Sequence, residues 1–173
     1  MINVTKLYCG QVSASDSLRY GHGPAAAHSM DAPAHEPVRA AHLRKPIVVW
    51  TISRRCNLHC VHCYTDSENR AYPGELTVDE AKVMLDDLAR FQIPALLLSG
   101  GEPLYHPHLF EFAGAARSLG LRLTLSTNGT LIDRPTAERI KQTAFSYVGI
   151  SFDGLGKIND QFRGKLGAFD AAL

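Results

Sequence analysis

The chain has almost no charge of either sign to spare. Lys and Arg number 18 against 17 Asp and Glu, a formal net charge of +1 over 173 residues. That balance removes the electrostatic case for nucleic acid or an anionic membrane as a partner. Long apolar runs are missing too: none approaches the ~18 residues of a membrane span. The first residues carry no basic stretch followed by an apolar one, so no signal peptide is expected and the expected compartment is the cytoplasm. Cysteine is scarce, with four in the chain. Cys9 stands alone, whereas Cys56, Cys60 and Cys63 lie within eight residues of one another. A secreted disulfide framework spreads its cysteines along the chain, so this cluster reads as a metal or iron–sulfur site.

What is present is an ordinary globular composition, 45% apolar and 20% charged, in a length that fits one domain with a real core. Scattered apolar positions in residues 1–20 suggest an N-terminal arm. Residues 21–45 are rich in Pro, Gly, Ala and His without periodicity and read as a flexible linker. The irregular spacing of His22, His28, His35 and His42 favours a solvated segment there over a metal site. From residue 46 the pattern changes. Apolar runs at 47–52, 95–98, 121–125 and 147–152 suit strands buried on both faces of a parallel sheet.

Helical patterns separate these runs. Thr77 followed by Glu80 is a capping box, and Ala81, Met84, Leu85 and Leu88 then trace one apolar face. Leu109, Phe112, Ala113 and Ala116 repeat that spacing, with Gly120 placed to end the helix. Pro135 suits the first turn of a third helix running to about Thr143, with Ile140 facing inward. Strand starts at 95, 121 and 147 step evenly by 26 residues, as one repeated βα unit with right-handed crossovers would. A helix after Phe169 would add a further unit. The expected fold is α/β, the front of a βα barrel cut short.

In such sheets the chemistry lies in loops beyond the carboxyl ends of the strands. Cys56, Cys60 and Cys63 follow the first strand with C-x3-C-x2-C spacing. Three thiolates on one loop can hold three irons of a 4Fe-4S cluster and leave the fourth iron open. Zinc bound by the three cysteines with His59 or His62 is the alternative. Gly100, Gly101, Glu102 and Pro103 follow the second strand; the glycines allow close backbone approach to a ligand, and Glu102 can accept from an ammonium group. Ser126 and Asn128 end the third strand, Ser151 and Asp153 the fourth, and Arg163 lies just beyond. His106 and His108 are expected to cap the second helix.

Together these residues resemble the radical S-adenosylmethionine (SAM) superfamily, whose hallmark is C-x3-C-x-Φ-C with an aromatic Φ. Here His62 occupies Φ. The resemblance implies a partial (βα)6 barrel of which residues 46–173 form the N-terminal portion, about the first four βα units. It implies a 4Fe-4S cluster on Cys56, Cys60 and Cys63, and SAM as the second cofactor. Gly100, Gly101 and Glu102 match the segment that meets the SAM amino group. Ser126, Asn128, Ser151 and Asp153 match strand-end polar positions, and Arg163 matches a basic position that pairs with the SAM carboxylate. Residues 2–10 and 17–21 are similar to the opening of radical SAM proteins of heme biosynthesis, the group of the didecarboxysiroheme deacetylase and the heme d1 pathway protein. That implies removal of acetate side chains from a siroheme-derived tetrapyrrole, with Arg54 and Arg55 either pairing with substrate carboxylates or flanking the loop as surface charge. A one-electron reductant of the ferredoxin or flavodoxin type is the implied partner. Peptide or protein maturation is the alternative substrate class. A zinc-stabilised module without catalysis, or an inactive fragment, is the alternative in kind. The family's remaining strands and C-terminal extension have no counterpart in these residues.

Overall fold

The computed structural model describes residues 45–173. The arm at 1–20, nearly all of the linker at 21–45, and Cys9 lie outside the described residues. Four strands form one sheet: β1 (Val48–Thr51), β2 (Leu96–Ser99), β3 (Leu123–Thr127) and β4 (Tyr147–Ile150). Their spatial order is their chain order, and every neighbouring pair is parallel. Val48 stands opposite Leu96, Leu96 opposite Leu123, and Thr124 opposite Tyr147.

The two central strands behave as their apolar runs require. Leu96, Leu98, Leu123 and Leu125 are wholly buried. The outer strands do not: β1 alternates, with Val49 exposed between the half-buried Val48 and Trp50, and Tyr147 and Ile150 of β4 are exposed. Burial on both faces therefore holds for β2 and β3 alone. An outer strand has a neighbour on one side only, so an apolar run by itself does not report its burial.

Helix α1 (Val78–Phe91) opens on the expected capping box: the Thr77 hydroxyl accepts from Glu80 N, and the Glu80 carboxylate accepts from Thr77 N at 2.9 Å. Ala81 and Leu85 are fully buried. Helix α2 (Leu109–Ser118) buries Leu109, Phe112, Ala113 and Ala116, the four positions its periodicity marks. It closes in a Schellman motif. Gly120 adopts φ 79°, its N–H donates to Arg117 O at 2.9 Å, and Leu121 N donates to Ala116 O at 3.0 Å. Leu121 is thus spent on the helix end, and β3 begins at Leu123. The expected even step of 26 gives way to strand starts at 96, 123 and 147. His108 occupies the N-cap position of α2 but makes no side-chain cap; its ring lies 3.1 Å from the Glu111 carboxylate instead.

Helix α3 (Arg134–Thr143) is capped by Asp133, which accepts from Thr136 N at 2.8 Å, and carries Pro135 in its first turn. Ile140 packs on the core as expected. Two short helices follow β4, α4 (Lys157–Arg163) and α5 (Ala168–Ala172). The sequence pattern marks only the second, because Gly154 and Gly156 have the character of turn residues and mask the helix start at Lys157. The main core cluster brings Leu85, Leu109 and Ala113 together with Leu96, Leu98 and Leu125, with Trp50 against Phe112 at a ring separation of 5.0 Å; a second, smaller cluster joins Cys56, Leu58 and Ala168. Among the described residues no helix is long and apolar enough to cross a membrane.

Candidate cluster and cofactor site

The loop after β1 is fixed by backbone bonds to two other segments, the double-glycine turn and the end of α4, and by one within itself. Gly101 N donates to Ser53 O at 2.8 Å, and Glu102 N to Arg55 O at 3.0 Å. Cys56 N reaches Glu68 O at 3.1 Å within the loop itself. His59 N and Val61 N donate to Arg163 O and Phe162 O, at 3.2 and 2.9 Å, so the end of α4 supplies carbonyls its own helix leaves unpaired. The glycines make this approach possible. A Cβ at Gly100 would strike Ser53 O, one at Gly101 would strike Arg54 O and Arg55 O, and one at Gly164 would strike His59 O. The close approach that Gly100 and Gly101 permit here is therefore to the cysteine loop.

Each thiol has its own environment. Cys56 is buried, and burial pushes its pKa up; Sγ accepts from Leu58 N at 3.4 Å and faces Asn128 Nδ2 at 3.9 Å. Cys60 Sγ lies 3.8 Å from Arg163 Nη1. Cys63 Sγ lies 3.3 Å from Thr65 Oγ1 and 3.4 Å from Ser67 N. Burial opposes ionisation of Cys63, yet the hydrogen bonds from Thr65 and Ser67 outweigh it and hold its pKa below the ordinary value. Among the described residues no three His, Cys, Asp or Glu side chains converge to hold a single metal ion. His62, one candidate fourth zinc ligand, turns its Nε2 to Asp153 Oδ2 at 3.5 Å and sets its ring edge-on to Phe162.

Glu102 is fully buried and links two loops. Its Oε1 accepts from Thr127 Oγ1 at 2.7 Å and Leu104 N at 3.0 Å; its Oε2 accepts from Asn128 N at 2.7 Å. Burial raises its pKa against the opposing pull of these donors. Asn128 in turn donates to Asn57 Oδ1 at 2.9 Å and accepts from Thr130 N and Oγ1, and Asn57 Nδ2 donates to Thr130 Oγ1 at 2.8 Å. Four residues thus tie the β3 rim to the cysteine loop. Asn57, Thr127 and Thr130 were not singled out from the sequence. Their roles depend on partners 25 to 73 residues away, which local spacing does not reveal.

Ser126 is half-buried on β3, opposite Gly149 of β4. Ser151 lies one residue past β4 and continues the ladder, its N–H donating to Thr127 O at 3.1 Å. Asp153 and Arg163 meet. Nη2 stands 2.7 Å from Oδ2, with Arg163 only 8% exposed. The contact is an ion pair without hydrogen-bond alignment, and the buried Arg163 Nε has no protein partner. Arg163 is therefore no solvated surface arginine. Arg54 and Arg55, which immediately precede the first cysteine, are both engaged by the loop. Arg54 donates to Thr65 O and Asp66 O and stacks on Tyr72 at 4.4 Å; Arg55 donates to Asn69 Oδ1 and stacks on Tyr105 at 4.6 Å. Both brace the cysteine loop through these contacts.

The thiol loop, the double glycine and the polar strand ends all stand at one rim, and residues 50–173 match the model of the family described as the radical SAM superfamily. The chain belongs to the radical SAM superfamily. Among its curated relatives is Fe-coproporphyrin III synthase of Methanosarcina barkeri, 49% identical over 173 residues, all of this chain and 42% of that protein. Pre-heme d1 synthase of Dinoroseobacter shibae is 53% identical over 129 residues, 75% of this chain and 32% of that protein. Mycofactocin maturase MftC of Mycobacterium tuberculosis is 37% identical over 127 residues, 73% of this chain and 32% of that protein. This radical SAM chain spans less than half the length of the curated relatives it matches. The fold is shared with Streptococcus suis SuiB bound to S-adenosylmethionine, with a TM-score of 0.62 and 21% identity over 73% of this chain and 30% of that one. It is shared also with anSMEcpe with bound AdoMet, with a TM-score of 0.60 and 26% identity over 73% of this chain and 38% of that one.

Proposed function

We propose that Cys56, Cys60 and Cys63 hold a 4Fe-4S cluster, that the surrounding rim binds SAM, and that the enzyme this chain belongs to acts on a siroheme-derived tetrapyrrole. The observation that carries the cofactor reading is the set of N–H and O–H donors aimed at the three sulfurs from Asn128, Leu58, Arg163, Thr65 and Ser67. Donors aimed at sulfur stabilise thiolates, the form in which cysteine binds iron. When bound, cluster and cofactor supply a one-electron cleavage of SAM and a 5′-deoxyadenosyl radical that takes hydrogen from the substrate.

This chain's residues then have the following tasks. Gly100 and Gly101 bring the second loop against the cysteine loop, where the SAM amino group is received. Glu102 acts there through the groups it fixes, Thr127 and Asn128. Ser126, Asn128, Ser151 and Asp153 line the strand ends. Arg163 offers positive charge to the SAM carboxylate while Asp153 holds its guanidinium in place. A one-electron reductant of the ferredoxin or flavodoxin type completes the system.

The tetrapyrrole reading is supported by the similarity to Fe-coproporphyrin III synthase, which extends along the whole of this chain, and to pre-heme d1 synthase. Peptide maturation is the second reading, favoured by the similarity to mycofactocin maturase. Anaerobic reconstitution with iron and sulfide, followed by EPR of the reduced protein with and without SAM, tests the cofactors. A 4Fe-4S signal that changes on adding SAM is expected; one bound zinc and no cluster would overturn it. Formation of 5′-deoxyadenosine with a siroheme-derived tetrapyrrole, set against a precursor peptide, separates the two substrates.

A further inference from the structure

The three sulfurs are not equally served. Cys56 faces one backbone N–H and a distant amide, and Cys60 faces a guanidinium at 3.8 Å. Cys63 meets a hydroxyl, Thr65 Oγ1 at 3.3 Å, as well as Ser67 N at 3.4 Å, both from its own loop. Behind Thr65 stands a second hydroxyl, with Ser67 Oγ 2.6 Å from Thr65 Oγ1 and Ser67 only 3% exposed. A buried hydroxyl places its proton on a partner, and the oxygen beside Ser67 is that of Thr65. Either oxygen of this pair can donate, but a thiolate sulfur only accepts, so toward a thiolate Thr65 gives its one proton to the sulfur and accepts from Ser67. Successive hydrogen bonds polarise one another, so the pair acts on Cys63 as a relay.

We infer that Thr65 and Ser67 are positioning residues that raise the electron affinity of a cluster bound through Cys63. The inference rests on the cluster reading above. Reduction adds negative charge that is shared with the cysteine sulfurs. A hydrogen bond to sulfur favours the more negative form and so raises the reduction potential. Thr65 and Ser67 supply this from the cysteine loop itself, so the tuning does not depend on the β3 rim or on α4.

The experiment uses the 173-residue chain, reconstituted anaerobically with iron and sulfide, beside its Thr65→Val, Thr65→Ser and Ser67→Ala variants. Iron and sulfide are counted, and the cluster is titrated potentiometrically by EPR. Thr65→Val and Ser67→Ala should keep the metal content of the parent and titrate at a more negative potential. Thr65→Ser, which keeps the hydroxyl, should titrate with the parent. Thr65→Val at full iron content and parental potential would overturn the inference. So would loss of iron from Thr65→Val combined with a parental potential for Ser67→Ala, since the hydroxyls would then only hold the loop. A parent chain that binds no cluster would overturn the cluster reading itself, and this inference with it.

Discussion

Glu102 holds Asn128 by its backbone: Oε2 of a carboxylate with no exposed surface accepts the Asn128 N–H at 2.7 Å. Asn128 passes that constraint on, since its side chain bonds Asn57 in the cysteine loop at 2.9 Å and faces Cys56 Sγ. The acidic residue of the double-glycine turn therefore acts on the first cysteine through one intermediate. A carboxylate this buried is retained because three donors meet it, from Thr127, Leu104 and Asn128.

Removing that carboxylate leaves three donors facing nothing. Glu102→Ala should cost about 3 kcal/mol or more, at roughly 1–3 kcal/mol for each buried unsatisfied group. The pH dependence is a finer check. Burial raises the folded-state pKa of Glu102, so the folded protein binds its proton more tightly than the unfolded chain does. Its contribution is fully present below the unfolded value of about 4.3 and is lost as pH rises through the folded pKa. The stability of the parent relative to Glu102→Gln should therefore fall as pH rises above that point. Urea denaturation of both proteins across the range measures it; a difference that stays flat with pH would contradict the assignment.

Gly164 tests the docking of the cysteine loop on α4. Its φ of 64° disfavours any side chain, and a Cβ there would run into His59 O. The left-handed backbone alone costs about 1–2 kcal/mol. Gly74 has φ 80° but open space around its Cβ direction, so it bears the backbone cost without the collision. Gly164→Ala should lower iron retention after reconstitution, whereas Gly74→Ala should lose stability only. Equal iron content in the two variants would show that α4 does not set the loop's position.

Asn128 and Asn57 meet across 71 residues of chain, and Thr130 closes their triangle. Asn128→Ala should destabilise the fold by about 1–3 kcal/mol, since Asn57 loses its donor within a part-buried network. A double-mutant cycle with Asn57→Ala should show coupling of about 0.5–3 kcal/mol. Strict additivity by urea titration would mean the two amides do not act together.

Much of this was open to reading from the sequence because it is local. The capping box of Thr77 and Glu80, the Leu109–Ala116 face and the cysteine spacing each depend on residues within a few positions of one another. What was hidden depends on the chain returning to itself. Arg54 and Arg55 look like free charges in sequence and become loop braces through acceptors on Thr65, Asp66 and Asn69 and through the rings of Tyr72 and Tyr105. Helix α4 was masked by flanking glycines, and its apolar residues gave no core signal, since Ile158 and Phe162 remain exposed. The capping role expected of His108 failed for a chemical reason: an imidazole beside Glu111 has a better partner than a backbone N–H.

Arg163 and Asp153 give the last test. Their contact is 2.7 Å, with side chains 10% and 26% exposed, so solvent screens the pair only weakly. Removing one member of a buried pair strands the other, at about 3–5 kcal/mol where burial is complete. Asp153 is partly exposed, so Arg163→Ala should fall toward or below the lower end of that range. Arg163→Lys keeps the charge but not the planar fork that spans Asp153 and Cys60. It should retain most of the stability and still weaken SAM binding to the reconstituted protein, because a single ammonium cannot serve both partners and a ligand carboxylate. Denaturation midpoints and equilibrium dialysis of SAM separate the two effects. A lysine variant that binds SAM as the parent does would move the carboxylate site away from Arg163.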